Sequence, residues 1–160
     1  MSSKNTIESH LHKNNAALPK NIQDLMNAAE RQLSMSYAPY SNFHVGAAVL
    51  LENGNIYLGC NQENASYPLC MCAERVALYN MGAQEKDFNI LAIAITAHNP
   101  AKALKEPVMP CGACRQVIQE FESRQTAPIA LYLTSDCEEI MQIVGIEKIL
   151  PFSFSKEHLI

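Results

Sequence analysis

Two short segments constrain what this chain can fold into more than any other feature. Pro68–Val76 reads P-L-C-M-C-A-E-R-V, and Pro110–Gln116 reads P-C-G-A-C-R-Q. Together they offer three or four thiolates at ligand spacing, and such thiolates suit zinc, which takes soft sulfur ligands in a tetrahedron. One ion needs one point in space, so the fold has to bring both segments together. Each segment opens a helical pattern, and its cysteines fall at the helix start. Unpaired N–H groups and the macrodipole there favour negative charge and lower a thiol's pKa.

Glu74 separates the possible chemistries. A structural zinc has no use for a carboxylate two residues after Cys72. A zinc that activates water does, because something must move its protons. Three thiolates leave the metal centre anionic, which makes a bound water less acidic than neutral ligands would. The helix dipoles offset part of that charge. Arg75, beside Glu74, is placed to donate to a ligand sulfur, against the simpler reading of a solvated helix residue. Two other readings use the same cysteines. Cys70, Cys72, Cys111 and Cys114 make C-x-C…C-x-x-C, a closed structural site. Alternatively, Cys111 and Cys114 form a redox pair at a helix start, which leaves Cys72 and Glu74 idle. Cys60 and Cys137 lack a partner at ligand spacing and read as small buried apolar residues. His44 and His98 read as structural or surface residues, and His158 as a tail residue.

The rest of the chain is scaffold or substrate wall. At 160 residues, one domain with a single core is the natural expectation. A net charge of −4 lacks the basic footprint of a nucleic-acid binder. Six cysteines in a chain this long are too few for a disulfide scaffold, which points to a reducing cytoplasm. No stretch approaches transmembrane length. Residues 1–20 contain neither an apolar run nor a basic stripe and read as a mobile tail, with His10 and His12 solvated. The domain is then expected over residues 21–160.

Within it, Ile22, Leu25, Met26, Ala29 and Leu33 follow helical spacing behind Asn21 as a cap. Phe43–Leu51 and Ile56–Cys60 read as strands joined at Asn53-Gly54. A helix is expected from Cys72 to Met81, stopped at Gly82. Ile90–Ala97 reads as a buried strand, residues 98–109 as loop and Cys111–Phe121 as helix. Ile129–Leu133 and Ile140–Val144 read as strands, with a short helix within Gly145–Leu150. Strands interleaved with helices predict an α/β fold with a mixed sheet of about five strands between helices.

Y-S-N-F-x-V-G-A-A (Tyr40–Ala48), G-C-N-Q-E-N-A-S-Y-P (Gly59–Pro68), C-A-E-R (Cys72–Arg75), P-C-G-A-C-R-Q and L-P-F-S-F (Leu150–Phe154) occur in that order. This succession resembles the cytidine deaminases, in their small, cysteine-only, homotetrameric branch. Deaminases of polynucleotides or deoxycytidylate typically have His in place of Cys72, which sets them apart. The resemblance implies a three-layer cytidine-deaminase-like fold and zinc held by Cys72, Cys111 and Cys114, with Cys70 outside the ligand set. It implies Glu74 as the proton shuttle, and Asn61 and Glu63 as ribose ligands, which share a face in extended chain. It places Phe43 beside the nucleoside, Ala65 and Tyr67 near the ribose 5′ end across an interface, and Phe154 in a neighbouring subunit's pocket. The implied reaction is hydrolytic deamination of cytidine and deoxycytidine in pyrimidine salvage. His44, Gln62 and Val76 depart from the usual proline, aliphatic residue and threonine, and bear on pocket shape. Two readings stand beside this one: a deaminase of another cytosine nucleoside, as in blasticidin deaminases, and a non-catalytic zinc-stabilised interaction domain.

Overall fold

Strand β2 (His44–Leu51) is apolar on both faces, and that decides the architecture. Ala47, Val49 and Leu51 pack to one side, Ala48 and Leu50 to the other, and all are buried. A period-two strand buried on both faces needs cover on each. Strand β4 (Ile90–His98) repeats the pattern, with Ile93 and Ile95 on one side and Ala92 and Ala94 on the other. The computed structural model describes residues 8–159 and supplies both covers. Helix α1 (Lys20–Arg31) lays Ile22, Leu25, Met26 and Ala29 on one face. Helices α2 (Ala73–Gln84) and α3 (Gly112–Glu122) cover the other through Ala77, Leu78, Met81, Ile118 and Phe121. The result is three layers, helix on sheet on helices, the α/β class expected.

The sheet also contains β1 (His10–His12), β3 (Ile56–Cys60), β5 (Ala130–Leu133) and β6 (Ile140–Val144), in the order β1-β6-β5-β4-β2-β3. Strands β4 and β5 pair in parallel and the other neighbours antiparallel, so the sheet is mixed. It has six strands, where the pattern of apolar runs gave about five. The addition is β1, in which His10 pairs with Gln142 and His12 with Ile140. This strand and the buried Leu18 belong to the segment read from sequence as a tail; residues 1–7 of that tail lie outside the described residues.

Two helix boundaries differ from expectation for physical reasons. Pro19, with its fixed φ, is the N-cap of α1, so Asn21 sits inside the first turn. Helix α2 runs on through Gly82 to Gln84. A Cβ at Gly82 would lie 3.3 Å from the Phe121 ring, so this glycine serves the contact between α2 and α3 rather than a helix stop. Two further glycines seat the helices on the sheet. A Cβ at Gly46 would lie 2.1 Å from the Ala29 carbonyl oxygen, and one at Gly59 2.3 Å from the Ala77 nitrogen and 2.5 Å from the Ala73 oxygen. Only glycine allows backbone to approach backbone so closely. Gly59 thereby fixes the start of α2, and with it Cys72.

Candidate active site

Cys72 and Cys111 are the N-cap residues of α2 and α3, each in extended conformation just before its helix. Cys114 lies in the first turn of α3 and is fully buried. The three sulfurs lie within 4.8 Å of one another. Cys72 Sγ is 3.9 Å from Cys111 Sγ, which is 3.4 Å from Cys114 Sγ. Sulfurs on a tetrahedral zinc, at about 2.3 Å from the metal, stand about 3.8 Å apart. All three thiols are free. The donor set therefore fits one zinc ion with a fourth position left for another ligand.

Electrostatics agree with the geometry. The Cys72 thiol is pulled down to about 5, chiefly by the neighbouring Cys114 thiol, against a burial penalty, with Arg75 adding to the fall. The Cys114 thiol is pushed up, by its closeness to Cys72 first and then by burial. Three thiols drawn this close make a place where a divalent cation replaces protons. Arg75 Nη2 donates to Cys72 Sγ at 3.4 Å, as its place beside the cysteine predicts. Glu74 is 4 % exposed. Its carboxyl is raised from the ordinary value by burial first and by the Cys72 charge after that.

Cys70 stands apart from the cluster. Its sulfur accepts from the Asn64 N–H at 3.2 Å and faces the Asn64 carbonyl. Cys114→Ser is therefore expected to lose the metal and Cys70→Ser to keep it. Metal content by elemental analysis of the purified variants checks this; equal loss in both would restore the closed four-sulfur site.

A cavity of about 430 Å³ opens over Cys72, Glu74 and Cys111. Phe43, Asn61 and Glu63 line it, and Val45, Ile95, Val108 and Met109 make an apolar wall. Asn61 has a structural task here as well. Its Nδ2 donates to the Phe43 carbonyl at 2.8 Å and its Oδ1 accepts from the Val45 N–H at 2.8 Å, leaving one N–H and one lone pair. Glu63 accepts from the Tyr40 N–H at 2.8 Å and from the Ser41 hydroxyl. The hydroxyl first and the N–H second hold its carboxyl below the ordinary value.

Three residues expected at the substrate lie outside this cavity. Tyr67 borders an adjoining recess with Tyr40, Ser41 and Glu63, its ring edge-on to Tyr40 at 5.7 Å. Ala65 is exposed. Phe154 is 57 % exposed, its ring stacked on His158 at 5.4 Å. Val108 and Met109 come from a loop whose sequence shows no period. It is tied down by Asp136, which accepts from the Leu104 N–H at 2.9 Å and pairs with His98. Ser41, in the Y-S-N-F block, also lines the cavity, a role that its sequence position alone does not signal. Of the departing residues, His44 bonds Ser36 and Asn42. Gln62 bridges to Met71 through its backbone, which brings the chain to Cys72.

Fold and site together define a zinc-dependent enzyme on a three-layer α/β scaffold. A family model described as the cytidine and deoxycytidylate deaminase zinc-binding region matches residues 19–129. The chain belongs to the cytidine and deoxycytidylate deaminase family. It is 39 % identical over 139 residues to a cytidine deaminase of Sporosarcina psychrophila, covering 86 % of this chain and 94 % of that one. It is 39 % identical over 137 residues to a cytidine deaminase of Halalkalibacterium halodurans, with 86 % and 96 % covered. The crystal structure of cytidine deaminase from Burkholderia pseudomallei superposes with a TM-score of 0.70 at 39 % identity, over 82 % of this chain and 97 % of that one.

Proposed function

We propose that this protein is a zinc-dependent cytidine deaminase, hydrolysing cytidine and deoxycytidine to uridine and deoxyuridine with release of ammonia. The observation that carries the proposal is a buried carboxyl, Glu74, beside three converging thiols at the edge of a cavity of about 430 Å³. That volume lies within the range of small-molecule sites. Cys72, Cys111 and Cys114 hold the metal, which when bound supplies Lewis acidity that makes a water nucleophilic near neutral pH.

The chain's own groups do the rest. Phe43 offers a ring face to the pyrimidine, and the apolar wall excludes bulk water. The free N–H of Asn61 and the Glu63 carboxylate bind the ribose hydroxyls; Tyr40 and Ser41 preset the Glu63 orientation. Glu74 takes a proton from the attacking water and passes it to N3 of cytosine as the water oxygen bonds to C4. It then protonates the amine as the C4–N bond breaks, the double role of the glutamate in base deaminases generally. Water and cytidine give uridine and ammonia, and the carboxyl returns to its starting state. Arg75 holds Cys72 in place and withdraws charge from its sulfur.

The cavity lining also bears on substrate class within the family. It includes two carboxylates, Glu63 and Glu74, and no Lys, Arg or His among the described residues. A 5′-phosphate brought to such a wall meets repulsion without a counter-charge, so the substrate is a nucleoside rather than a nucleotide. The sequence's cysteine usage supports action in the cytoplasm, and the reaction suits pyrimidine salvage. Among the described residues no helix is long and apolar enough to cross a membrane. Phe152 and Phe154 are 97 % and 57 % exposed, which supports a homo-oligomer, a tetramer by the family resemblance, in which Phe154 completes a neighbour's pocket.

Ammonia release from a panel of cytosine compounds tests the function. Cytidine and deoxycytidine are expected to react, and deoxycytidylate, free cytosine and blasticidin S to react poorly. Preference for deoxycytidylate or blasticidin S would replace the substrate assignment. No release from any compound by zinc-replete protein would leave a non-catalytic zinc domain.

A further inference from the structure

We propose that Gln116 is a positioning residue that fixes Phe154 for the pocket of a neighbouring subunit; the proposal rests on the role given to Phe154 above. Gln116 lies in the second turn of α3, just past Cys111 and Cys114. Its Nε2 donates to the Phe154 carbonyl oxygen at 2.7 Å, and its Oε1 accepts from the Phe154 N–H at 3.3 Å. A primary amide has a donor and an acceptor group in a plane, and here both reach the backbone of a single residue, as a paired strand would do, with the second N–H turned to Gln119 Oε1 at 3.4 Å. Glu lacks the donor, Asn lacks the reach, and Ala leaves both backbone groups to water.

Because the clamp takes only backbone, it leaves the Phe154 ring itself unengaged by α3. One ring face is stacked on His158 at 5.4 Å and 17°, and the residue remains 57 % exposed. Among the described residues the clamp is also the segment's sole hydrogen-bonded tether. Among the described residues, no hydrogen bond other than these two joins residues 151–159 to the body of the protein; the remainder are local, such as His158 to Ser155. Arg115, immediately before, donates to the carbonyls of Pro110 at 2.8 Å and Ile149 at 3.0 Å, and so holds the point where the segment leaves the core. The start of α3 that presents two of the three thiols thus also aims the C-terminal aromatic. Metal site and shared pocket are built on one helix start.

The test compares the zinc-loaded, full-length variants Gln116→Ala, Phe154→Ala and the double variant, by steady-state kinetics on cytidine with metal content measured alongside. Gln116→Ala is expected to raise KM by about 10–100-fold, the range for losing one ring–base stack, with kcat changed little and zinc retained. Phe154→Ala should show the same split. The double variant should be no worse than Phe154→Ala alone, since the clamp acts only through that ring. A role in general stability would instead give additive losses, and that result overturns the proposal. So does a wild-type KM in Gln116→Ala while Phe154→Ala is impaired. If Phe154→Ala is itself wild-type in kinetics, the role of Phe154 falls and the proposal with it, which tells the two failures apart. Should Gln116→Ala not fold, Gln116→Glu gives the same comparison, because it keeps the shape, removes the donor and sets a carboxylate against the Phe154 carbonyl.

Discussion

Glu74→Gln is expected to reduce kcat by at least about 10²–10⁴-fold, the usual share of general acid–base catalysis, while retaining zinc, fold and nucleoside binding. The substitution is nearly isosteric, so the packing around a residue only 4 % exposed is kept. The three thiols proposed to hold the metal, those of Cys72, Cys111 and Cys114, are left untouched. What changes is that an amide neither accepts the water's proton nor delivers one to N3 or the leaving amine. Burial makes the loss hard to rescue, because solvent does not reach the carboxyl's place as a substitute shuttle. The Cys72 charge and the desolvation that raise the Glu74 pKa act together to make this group a competent acid as well as a base. Turnover, zinc content and cytidine affinity by calorimetry, measured on one preparation, check it. Near-native kcat would sink the assignment, as would a defect accounted for by lost zinc alone.

The parts of the site that were legible in the sequence are those with local rules. Cysteine and glutamate spacing at two helix starts pointed to Glu74 and to Cys72, Cys111 and Cys114 with Cys70 left open, because helix geometry makes near neighbours in sequence near neighbours in space; the resemblance set Cys70 aside. The buried alternation of β2 and β4 was legible for the same reason, as a period-two pattern with apolar residues on both faces. What escaped depends on partners distant in sequence. Gly82 looks like a stop until Phe121 is seen against it. Asn61 reads as a ligand, but its bonds to Phe43 and Val45 need the facing strand. Val108 and Met109 reach the cavity because Thr134, Ser135 and Asp136, at and after the end of β5, hold their loop. Strand β1 escaped because three polar-flanked residues on a sheet edge have no periodic signature.

Mixing two impaired variants is expected to restore, at low cytidine concentration, activity with a wild-type KM that neither parent has. One parent, Phe154→Ala, keeps an intact Glu74; the other, Glu74→Gln, keeps an intact Phe154. Loss of the ring should cost the first parent about 1–3 kcal/mol of substrate stacking, and loss of the carboxyl should leave the second almost without turnover. Phe154 does not line its own chain's cavity, and among the described residues the hydrogen bonds from its segment to the body are those with Gln116. If its ring enters a neighbour's pocket, a site with both groups intact draws them from different chains. Random assortment in a symmetric oligomer then makes about a quarter of the sites whole. The regained activity should have wild-type KM, because those sites lack nothing, and it should appear only after subunits exchange. If the pocket were completed within one chain, no mixture would contain a whole site and activity would stay at the average of the parents. A monomer by light scattering at assay concentration, with full activity, would end the shared-site reading outright. Between these outcomes the exposed aromatic at the chain end is either a piece of the neighbour's active site or a surface residue without a task in catalysis.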